Sequence, residues 1–335
     1  MTSPATSRDM PTSRSVEADL LGGVADVARN CPTTIWGFGV GGCLAGLVRA
    51  GVHLGRHDLV EEVHRRVRGS LGATPEPTDH LISVETLLAL HSAVPDLGIA
   101  EACHRWARTV LDAVRPVAGQ PRVHRPDRSP WQNTIWVDCM HTDGPGLAAL
   151  GYEAESVAYA EEYAAVLQRP DGLFQHGFDV STGRGNSVAW GRGQVWALLG
   201  LLGTLDVIDD AGLRLRLGRL VGALAEHEEG GRWRTVVDDA HAPIENSVGA
   251  YVAWAVPRAV AQGLVDAEHS AMAERAYQAT LSGLVDGALT CSSATPVGSP
   301  DSYARQGTGV FPWGQAPVMH ALLDRLGGAN EGNTG

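Results

Sequence analysis

The sequence predicts an all-α fold, an (α/α)6 barrel in which six outer and six inner helices alternate. Three observations favour it: nearly every stretch between Gly and Pro residues has a helical apolar period, strand-like alternation is scarce, and two kinds of helix alternate along the chain. We expect helices at about 16–29, 37–50, 57–68, 80–94, 99–114, 134–151, 153–168, 187–206, 211–228, 247–264, 268–286 and 306–326, with a short hairpin arm at 231–239. A superhelical repeat array is the alternative, although the sequence shows no fixed period of the kind that such arrays have.

The two kinds of helix differ in charge. The first is amphipathic, as in HDLVEEVHRRVRG from His57, and would cover an outer face with its Glu and Arg side chains in water. The second is almost uncharged and rich in Gly, Ala and Leu, as in GFGVGGCLAGLVRA from Gly37. A helix that is apolar on all sides must be buried, and small residues let buried helices approach closely. The alternation therefore predicts an inner ring of helices inside an outer one.

Composition limits the classes of partner and cofactor. The net charge is −12, and Arg supplies every one of the 26 basic side chains, so we expect neither nucleic acid nor a membrane surface as partner. A small anion held by one or two Arg side chains stays possible. The five cysteines form no CxxC pair, so we expect no zinc site and no redox motif. We also expect no cofactor. Cys139 is expected to pack in the core instead of acting as a nucleophile.

The chain reads as one barrel domain at 16–328, between a disordered N-terminal segment at 1–15 and a disordered tail at 329–335. Its first twenty residues are polar and do not read as a secretory signal. No run of about 18 apolar residues suggests a membrane span. We therefore expect a cytoplasmic protein with reduced cysteines, either a monomer or a homodimer.

Polar and aromatic residues stand where each inner helix is expected to start. They are Trp36, then Asp79 and His80, Trp136 and Asp138, Trp190 and Arg192, Glu245 and Asn246, and finally Trp313. Because the inner helices of such a barrel run parallel, these residues should meet at one mouth, where free helix N–H groups suit an anion. Trp faces beside carboxylates and an Arg are typical of a sugar site. Taken singly, each residue could instead be a helix cap or part of the core.

Several of these segments resemble the unsaturated glucuronyl and rhamnogalacturonyl hydrolases, glycoside hydrolase families 88 and 105. IWVDCMHTDGPGLAALG from Ile135 resembles their catalytic helix, and DGLFQHGFD from Asp171 resembles their segment with an active-site His. AWGRGQVWALLGL from Ala189 is similar to their Trp-x-Arg-Gly-x-x-Trp motif. TDHLISVETLLAL and IENSVGAYVAWAV are weaker parallels, and the resemblance runs from about residue 30 to 325.

The resemblance implies a metal-free (α/α)6 barrel that hydrates the C4=C5 bond of a 4,5-unsaturated uronic acid. This sugar would be the non-reducing end of a small oligosaccharide left by a polysaccharide lyase. Asp138 would then be the proton donor, and Asp79 the second carboxylate. His176 and Arg192 would hold the hydroxyls and the carboxylate of the substrate. The full set of implied substrate-binding residues is His176, Trp190, Arg192, Gln194, Trp196, Trp36, Trp136 and His141.

The sequence departs from the family pattern beyond Asp138, where it has His141 and Asp143 in place of apolar residues and Gly146 where an aromatic is common. Three alternatives stay open. A sugar 2-epimerase of the same fold would use a His set such as His80, His141 and His176. An ordinary inverting glycosidase would hold two acids roughly 6.5–9.5 Å apart. The third alternative is a sugar-binding barrel without catalysis.

Overall fold

The computed structural model describes residues 13–33, 37–72, 83–94, 96–113 and 115–331. Its helices are α1 (Ser13–Arg29), α2 (Phe38–Leu54), α3 (His57–Arg68), α4 (Val84–Ala93), α5 (Leu97–Leu111), α6 (Cys139–Ala149), α7 (Glu153–Leu167), α8 (Gly191–Leu205), α9 (Ala211–Glu226), α10 (Asn246–Ala261), α11 (His269–Ser282), α12 (Pro300–Ala304) and α13 (Pro312–Glu331). Its strands are β1 (Thr134–Trp136), β2 (Gly177–Asp179), β3 (Arg184–Gly185), β4 (Leu284–Val285), β5 (Ala288–Ser292) and β6 (Thr308–Val310).

The inner helices form a closed ring. Helices α2, α4, α6, α8, α10 and α13 each contact the next, and α13 returns to contact α2. Helices α1, α3, α5, α7, α9 and α11 pack on the outside of this ring, with α1 touching both α13 and α2. In an open repeat array the two ends of the chain would lie apart. The contacts of α13 with α1 and α2 therefore exclude the array and confirm the predicted (α/α)6 barrel.

Glycine lets the inner helices pack closely around Asp138's helix. A Cβ atom added to Gly200 of α8 would lie 2.5 Å from the carbonyl oxygen of Met140 in α6. One added to Gly146 of α6 would lie 2.5 Å from both the Trp106 ring and Val84. Because real Cβ contacts are not this short, α6 can sit against its neighbours only without these side chains. Trp106 thus fills the space beside Gly146, where the family pattern has an aromatic in α6 itself.

Two small antiparallel sheets at the start of the inner helices differ from the prediction. Strands β1, β2 and β3 form one sheet and β4, β5 and β6 the other. As a result α6 begins at Cys139, after β1, and not at 134, while α13 begins at Pro312, after β6. Likewise α8 starts at Gly191, later than the expected 187.

Other boundaries also differ from the prediction. The expected hairpin arm at 231–239 is absent as a strand pair within the described residues, and only the isolated bridges Arg234↔Ile244 and Trp190↔Val236 occur there. Helix α1 begins at Ser13, inside the segment expected to be disordered, and α13 continues to Glu331. Across the described ranges, no helix has the length and apolarity that crossing a membrane requires.

Candidate active site

Asp138 and His176 form a buried pair at the start of α6. Ile135 of β1 pairs with Phe178 of β2, and the amide of Val137 donates to the carbonyl oxygen of His176 at 3.0 Å. This pairing brings Asp138 Oδ2 within 2.9 Å of His176 Nε2. Asp138 is 5% exposed and His176 0%. Although Asp138 occupies the N-cap position of α6, its side chain makes no capping hydrogen bond. The helix-cap alternative for Asp138 is therefore wrong.

The two oxygens of Asp138 differ in their surroundings. Oδ2 faces His176, whereas Oδ1 has no hydrogen-bond partner among the described residues. On its other side, Nδ1 of His176 lies 2.7 Å from the hydroxyl of Tyr303. Trp190 stacks on the His176 ring, with centroids 4.3 Å apart, and Trp136 meets that ring edge-on at 5.6 Å. The carboxyl group is thus held at one oxygen and left available at the other.

Three buried indole N–H groups, two of them on rings that contact this pair, have no partner among the described residues. Nε1 of Trp136, Trp190 and Trp196 is buried and makes no hydrogen bond within the described part of the chain. Trp136 and Trp190 contact the His176 ring, and Trp196 stacks on His141 with ring centroids 5.4 Å apart. Buried polar groups in native proteins are rarely left unpaired, so these donors indicate a place for a polar ligand such as a sugar.

Arg192 is enclosed by the protein, which differs from its predicted role. Its Nη1 donates to the carbonyl oxygen of Ser292 at 3.0 Å and to the Ser292 hydroxyl at 2.7 Å, while Nη2 donates to the Ser293 carbonyl oxygen at 2.5 Å. The guanidinium also lies between the rings of Trp190 and Trp313, 4.9 and 5.4 Å from their centroids. Arg192 is 2% exposed. Its contacts support a role in holding the end of β5 and the residues that follow it, and they do not support contact with a substrate carboxylate.

Glu245, at the start of α10, neutralises Arg192. Its Oε2 lies 3.3 Å from Nη1 of Arg192 and accepts the amide of Ser292 at 3.0 Å. Its Oε1 accepts the Ser247 hydroxyl at 2.5 Å. Burial by itself raises the pKa of Glu245, but the Arg192 charge and the hydrogen bonds from Ser247 and Ser292 outweigh it and lower the pKa overall. Glu245 is thus an ionised partner inside the protein.

Gln194 also holds the backbone and does not face a ligand. Its Oε1 accepts the amide of Phe174 at 2.7 Å, and its Nε2 donates to the carbonyl oxygens of Phe174 at 2.7 Å and Trp190 at 3.0 Å. The predicted substrate contact for Gln194 is therefore replaced by a supporting one. It fixes the two segments that carry His176 and its stacking partner.

A second group of ionisable side chains lies between α4, α6 and α13. Nε2 of His141 and Nε2 of His320 each lie 3.7 Å from the Glu85 carboxyl group, one at either oxygen. Burial lowers the pKa of His141 to about 4 and that of His320 to about 3, so both rings are neutral near pH 7. Burial raises the pKa of Glu85. Glu85 and His141 line a cavity of about 860 Å³ whose walls come from all six inner helices.

Asp143, the other polar departure from the family pattern, faces away from this cavity. Arg122 Nε donates to its Oδ2 at 2.9 Å, and both side chains are almost fully buried. The Thr142 hydroxyl donates to Oδ1 at 2.9 Å. Asp143 is therefore a structural ion-pair partner. Cys139 is 0% exposed, and burial raises the pKa of its thiol, in keeping with the predicted packing role.

The predicted helix starts do meet at one mouth where they are described. Asp138, His176, Trp190, Arg192 and Glu245 follow one another in contact. Trp136 and Trp313 join this cluster, and Trp196 lies beside His141. Three predicted residues, Trp36, Asp79 and His80, lie outside the described residues.

Sequence reasoning missed Tyr303, Asn186, Glu85 and His320. Tyr303 stands in the short helix α12, 127 residues beyond His176, with no motif around it. Glu85 lies inside the stretch TDHLISVETLLAL, where it reads as an ordinary helical acid. Only the apolar composition around Glu85 could have signalled that it faces the inside of the barrel. Among the described residues, no group of three or more His, Cys, Asp or Glu side chains is arranged to hold a metal ion.

Comparisons with solved structures agree on the fold. A structure described as a possible member of the GH105 family from Klebsiella pneumoniae subsp. pneumoniae MGH 78578 has a TM-score of 0.85 at 20% identity, covering 98% of this chain and 99% of that one. The unsaturated glucuronyl hydrolase from Bacillus sp. GL1, described as responsible for the degradation of glycosaminoglycan, has a TM-score of 0.72 at 16% identity, covering 92% and 96%. At these identities the likeness concerns the fold alone.

Sequence comparisons identify the family. The 24.9 kDa protein in picA locus of Rhizobium radiobacter is 32% identical over 131 residues, which is 34% of this chain and 56% of that protein. The chain thus spans little more than half the length of the curated relatives that it matches. Residues 24–327 match the sequence model of Glycosyl Hydrolase Family 88. Because this match takes in most of the chain, the protein belongs to Glycosyl Hydrolase Family 88.

Proposed function

We propose that the protein hydrates the C4=C5 double bond of a 4,5-unsaturated uronic acid at the non-reducing end of a short oligosaccharide. Family membership supports the reaction class, and the solved structures of similar fold include unsaturated glucuronyl hydrolases. The observation that carries the proposal is the buried Asp138, held at Oδ2 by His176 and, among the residues that the structure describes, without a partner at Oδ1. It is the arrangement that a proton donor to a bound sugar needs.

In this reaction the proton on Asp138 Oδ1 passes to C4 of the substrate, and a carboxylate is left behind. Water then adds to C5 and returns a proton to Asp138, so the acid is regenerated. The product is a hemiketal, which opens and releases the rest of the oligosaccharide. Protonation builds positive charge at C5 and the ring oxygen, which a second carboxylate stabilises. Asp79, outside the described residues, stays our proposal for that carboxylate.

Substrate recognition is assigned to the unpaired donors of the mouth. The indole N–H groups of Trp136, Trp190 and Trp196 would donate to sugar hydroxyls or to the uronate carboxylate. His141 Nδ1, which is buried and has no hydrogen-bond partner among the residues described, is a further polar contact. Arg192 supports the mouth through Ser292 and Ser293 and does not reach the ligand in this proposal.

The test follows the ultraviolet absorbance of the conjugated uronate in lyase-generated disaccharides from pectin, glycosaminoglycan and ulvan. We expect the wild-type protein to remove this absorbance from at least one of them. Asp138→Asn should lower kcat by about 100-fold or more, because the group can no longer supply a proton. Asp286→Asn, at an exposed turn with φ 49° that Asn tolerates, is the matched control and should retain activity.

Two outcomes would contradict the proposal. One is that no unsaturated fragment loses its absorbance while a saturated glycoside is cleaved, which would favour an ordinary glycosidase. The other is that Asp138→Asn and Asp286→Asn are equally active, which would remove Asp138 from the chemistry.

A further inference from the structure

A chain of hydrogen bonds extends from Asp138 through His176 to residues that the proposed reaction does not use. Nδ1 of His176 lies 2.7 Å from the Tyr303 hydroxyl. That oxygen lies 3.0 Å from Nδ2 of Asn186 and 3.2 Å from the amide nitrogen of Gly298. Tyr303 is 0% exposed, so water cannot replace any of these partners.

The direction of each hydrogen bond follows from the groups that can only donate. The amide of Gly177 donates to Oδ1 of Asn186 at 3.2 Å, which fixes the orientation of the Asn186 side chain. Nδ2 of Asn186 therefore donates to the Tyr303 oxygen, and the amide of Gly298 donates to the same oxygen. Both lone pairs of that oxygen are then occupied. The hydroxyl proton of Tyr303 has one remaining acceptor, Nδ1 of His176.

These hydrogen bonds to the Tyr303 oxygen determine which nitrogen of the His176 ring carries the proton. Because Nδ1 accepts from Tyr303, the proton of the neutral ring lies on Nε2 and is donated to Asp138 Oδ2. We propose that Tyr303 is a positioning residue that holds His176 in this tautomer and thereby keeps the transferable proton of the acid on Asp138 Oδ1. Asn186 and Gly298 take part by occupying the lone pairs of the Tyr303 oxygen.

The opposite tautomer would work against the reaction. With the proton on Nδ1, the unprotonated Nε2 would accept a hydrogen bond from Asp138, and the acid's proton would sit on Oδ2, facing His176. An imidazolium ring would need Tyr303 to accept a third hydrogen bond, for which its oxygen has no lone pair left. Burial raises the pKa of Tyr303, so the phenol keeps the proton that it donates. His176 itself keeps its Nε2 proton throughout the cycle and stabilises the carboxylate that forms on Asp138.

The inference about catalysis rests on the proposed function, but the tautomer can be measured without substrate. The ¹⁵N chemical shifts of imidazole nitrogens distinguish Nδ1–H, Nε2–H and imidazolium rings. In protein labelled with ¹⁵N-histidine, the His176 signals are identified by their loss in His176→Gln. We expect the wild-type ring to carry its proton on Nε2 near pH 7. An Nδ1–H ring or an imidazolium in the folded wild type would overturn the proposal, whichever substrates are consumed.

Tyr303→Phe tests the consequence for the reaction. Without the hydroxyl donor, the His176 signals should shift towards the Nδ1–H tautomer, and kcat should fall by about 10- to 100-fold with KM changed much less. The control is Tyr163→Phe, which removes a buried hydroxyl that has no hydrogen-bond partner in the described ranges, and it should alter neither kcat nor the His176 signals. Unchanged His176 signals or an unchanged kcat in Tyr303→Phe would refute the positioning role.

The two proposals fail separately. If no unsaturated uronide is consumed by the wild type, the proposed function fails, and the tautomer measurement still stands on its own. If Tyr303→Phe does not fold, the wild-type shifts decide the tautomer without it.

Discussion

Arg192→Met should destabilise the fold, because it leaves Glu245 charged and buried without its counterion. The two side chains are 2% and 1% exposed and lie 3.3 Å apart. Removing one partner of such a buried pair costs about 3–5 kcal/mol. For 335 residues the entropy of unfolding is about 0.7 kcal/mol/K, so the melting temperature should fall by about 4–7 °C.

The assay is urea unfolding of four proteins: wild type, Arg192→Met, Glu245→Gln and the double variant. If the pair is a unit, Glu245→Gln should cost less in the Arg192→Met background, with an interaction energy of about 1–3 kcal/mol. Acidification supplies a second measurement. Without Arg192, burial raises the pKa of Glu245 above its unfolded value, so the penalty grows with pH above about 4.5. The difference in stability from wild type should therefore shrink as pH falls towards about 5.

The reasoning would be refuted by an Arg192→Met variant of unchanged stability, within about 0.5 kcal/mol, whose KM for substrate is strongly raised. That result would give Arg192 the substrate carboxylate that the family resemblance implies. A fall in stability with an interaction energy near zero would show that Ser292 and Ser293, and not Glu245, are the partners that matter.

Two further predictions concern the core of the barrel. Gly200→Ala should lower the free energy of unfolding by about 1–3 kcal/mol, because the new Cβ would meet the Met140 carbonyl oxygen at 2.5 Å. The control is Gly222→Ala in outer helix α9, where a Cβ meets nothing within 4 Å, and it should raise the free energy of unfolding by up to about 1 kcal/mol. Equal effects of the two substitutions in denaturant unfolding would contradict this prediction. Burial lowers the pKa of His141 from 6.5 to about 4, so the unfolded chain takes up this proton first and stability falls as pH drops through that window. In His141→Gln the loss of stability from about pH 7 to about pH 5 should be smaller by about 2 kcal/mol. Exposed His57→Gln is the control, and parallel curves for all three proteins would speak against a buried neutral ring.

The sequence was sufficient to predict the ring of helices, because the pattern that identifies each helix is local and recurs along the chain. An apolar period of 3.6 residues identifies a helix wherever it occurs, and the difference between charged and Gly/Ala/Leu-rich helices separates outer from inner. The motif around Asp138 could be placed at the start of an inner helix for the same reason. The exact starts of α6, α8 and α13 could not be predicted from the sequence. Strands β1 and β6 form only by pairing with distant strands, and the chain around Trp190 is held by an isolated bridge to Val236.

What each polar side chain does was decided by tertiary structure alone. Arg192 in its motif has the same appearance whether it faces a ligand or Glu245, and only the fold brings Ser292 to it from 100 residues away. Tyr303 has no local signal at all, yet it lies 2.7 Å from His176 across 127 residues of chain. A hydrogen bond requires its donor and acceptor to be placed to within a few tenths of an ångström, and here the two groups are far apart in the chain. Residue types along the chain therefore determined the barrel and its mouth, and packing determined which of those residues hold the site together and which are left free for a ligand.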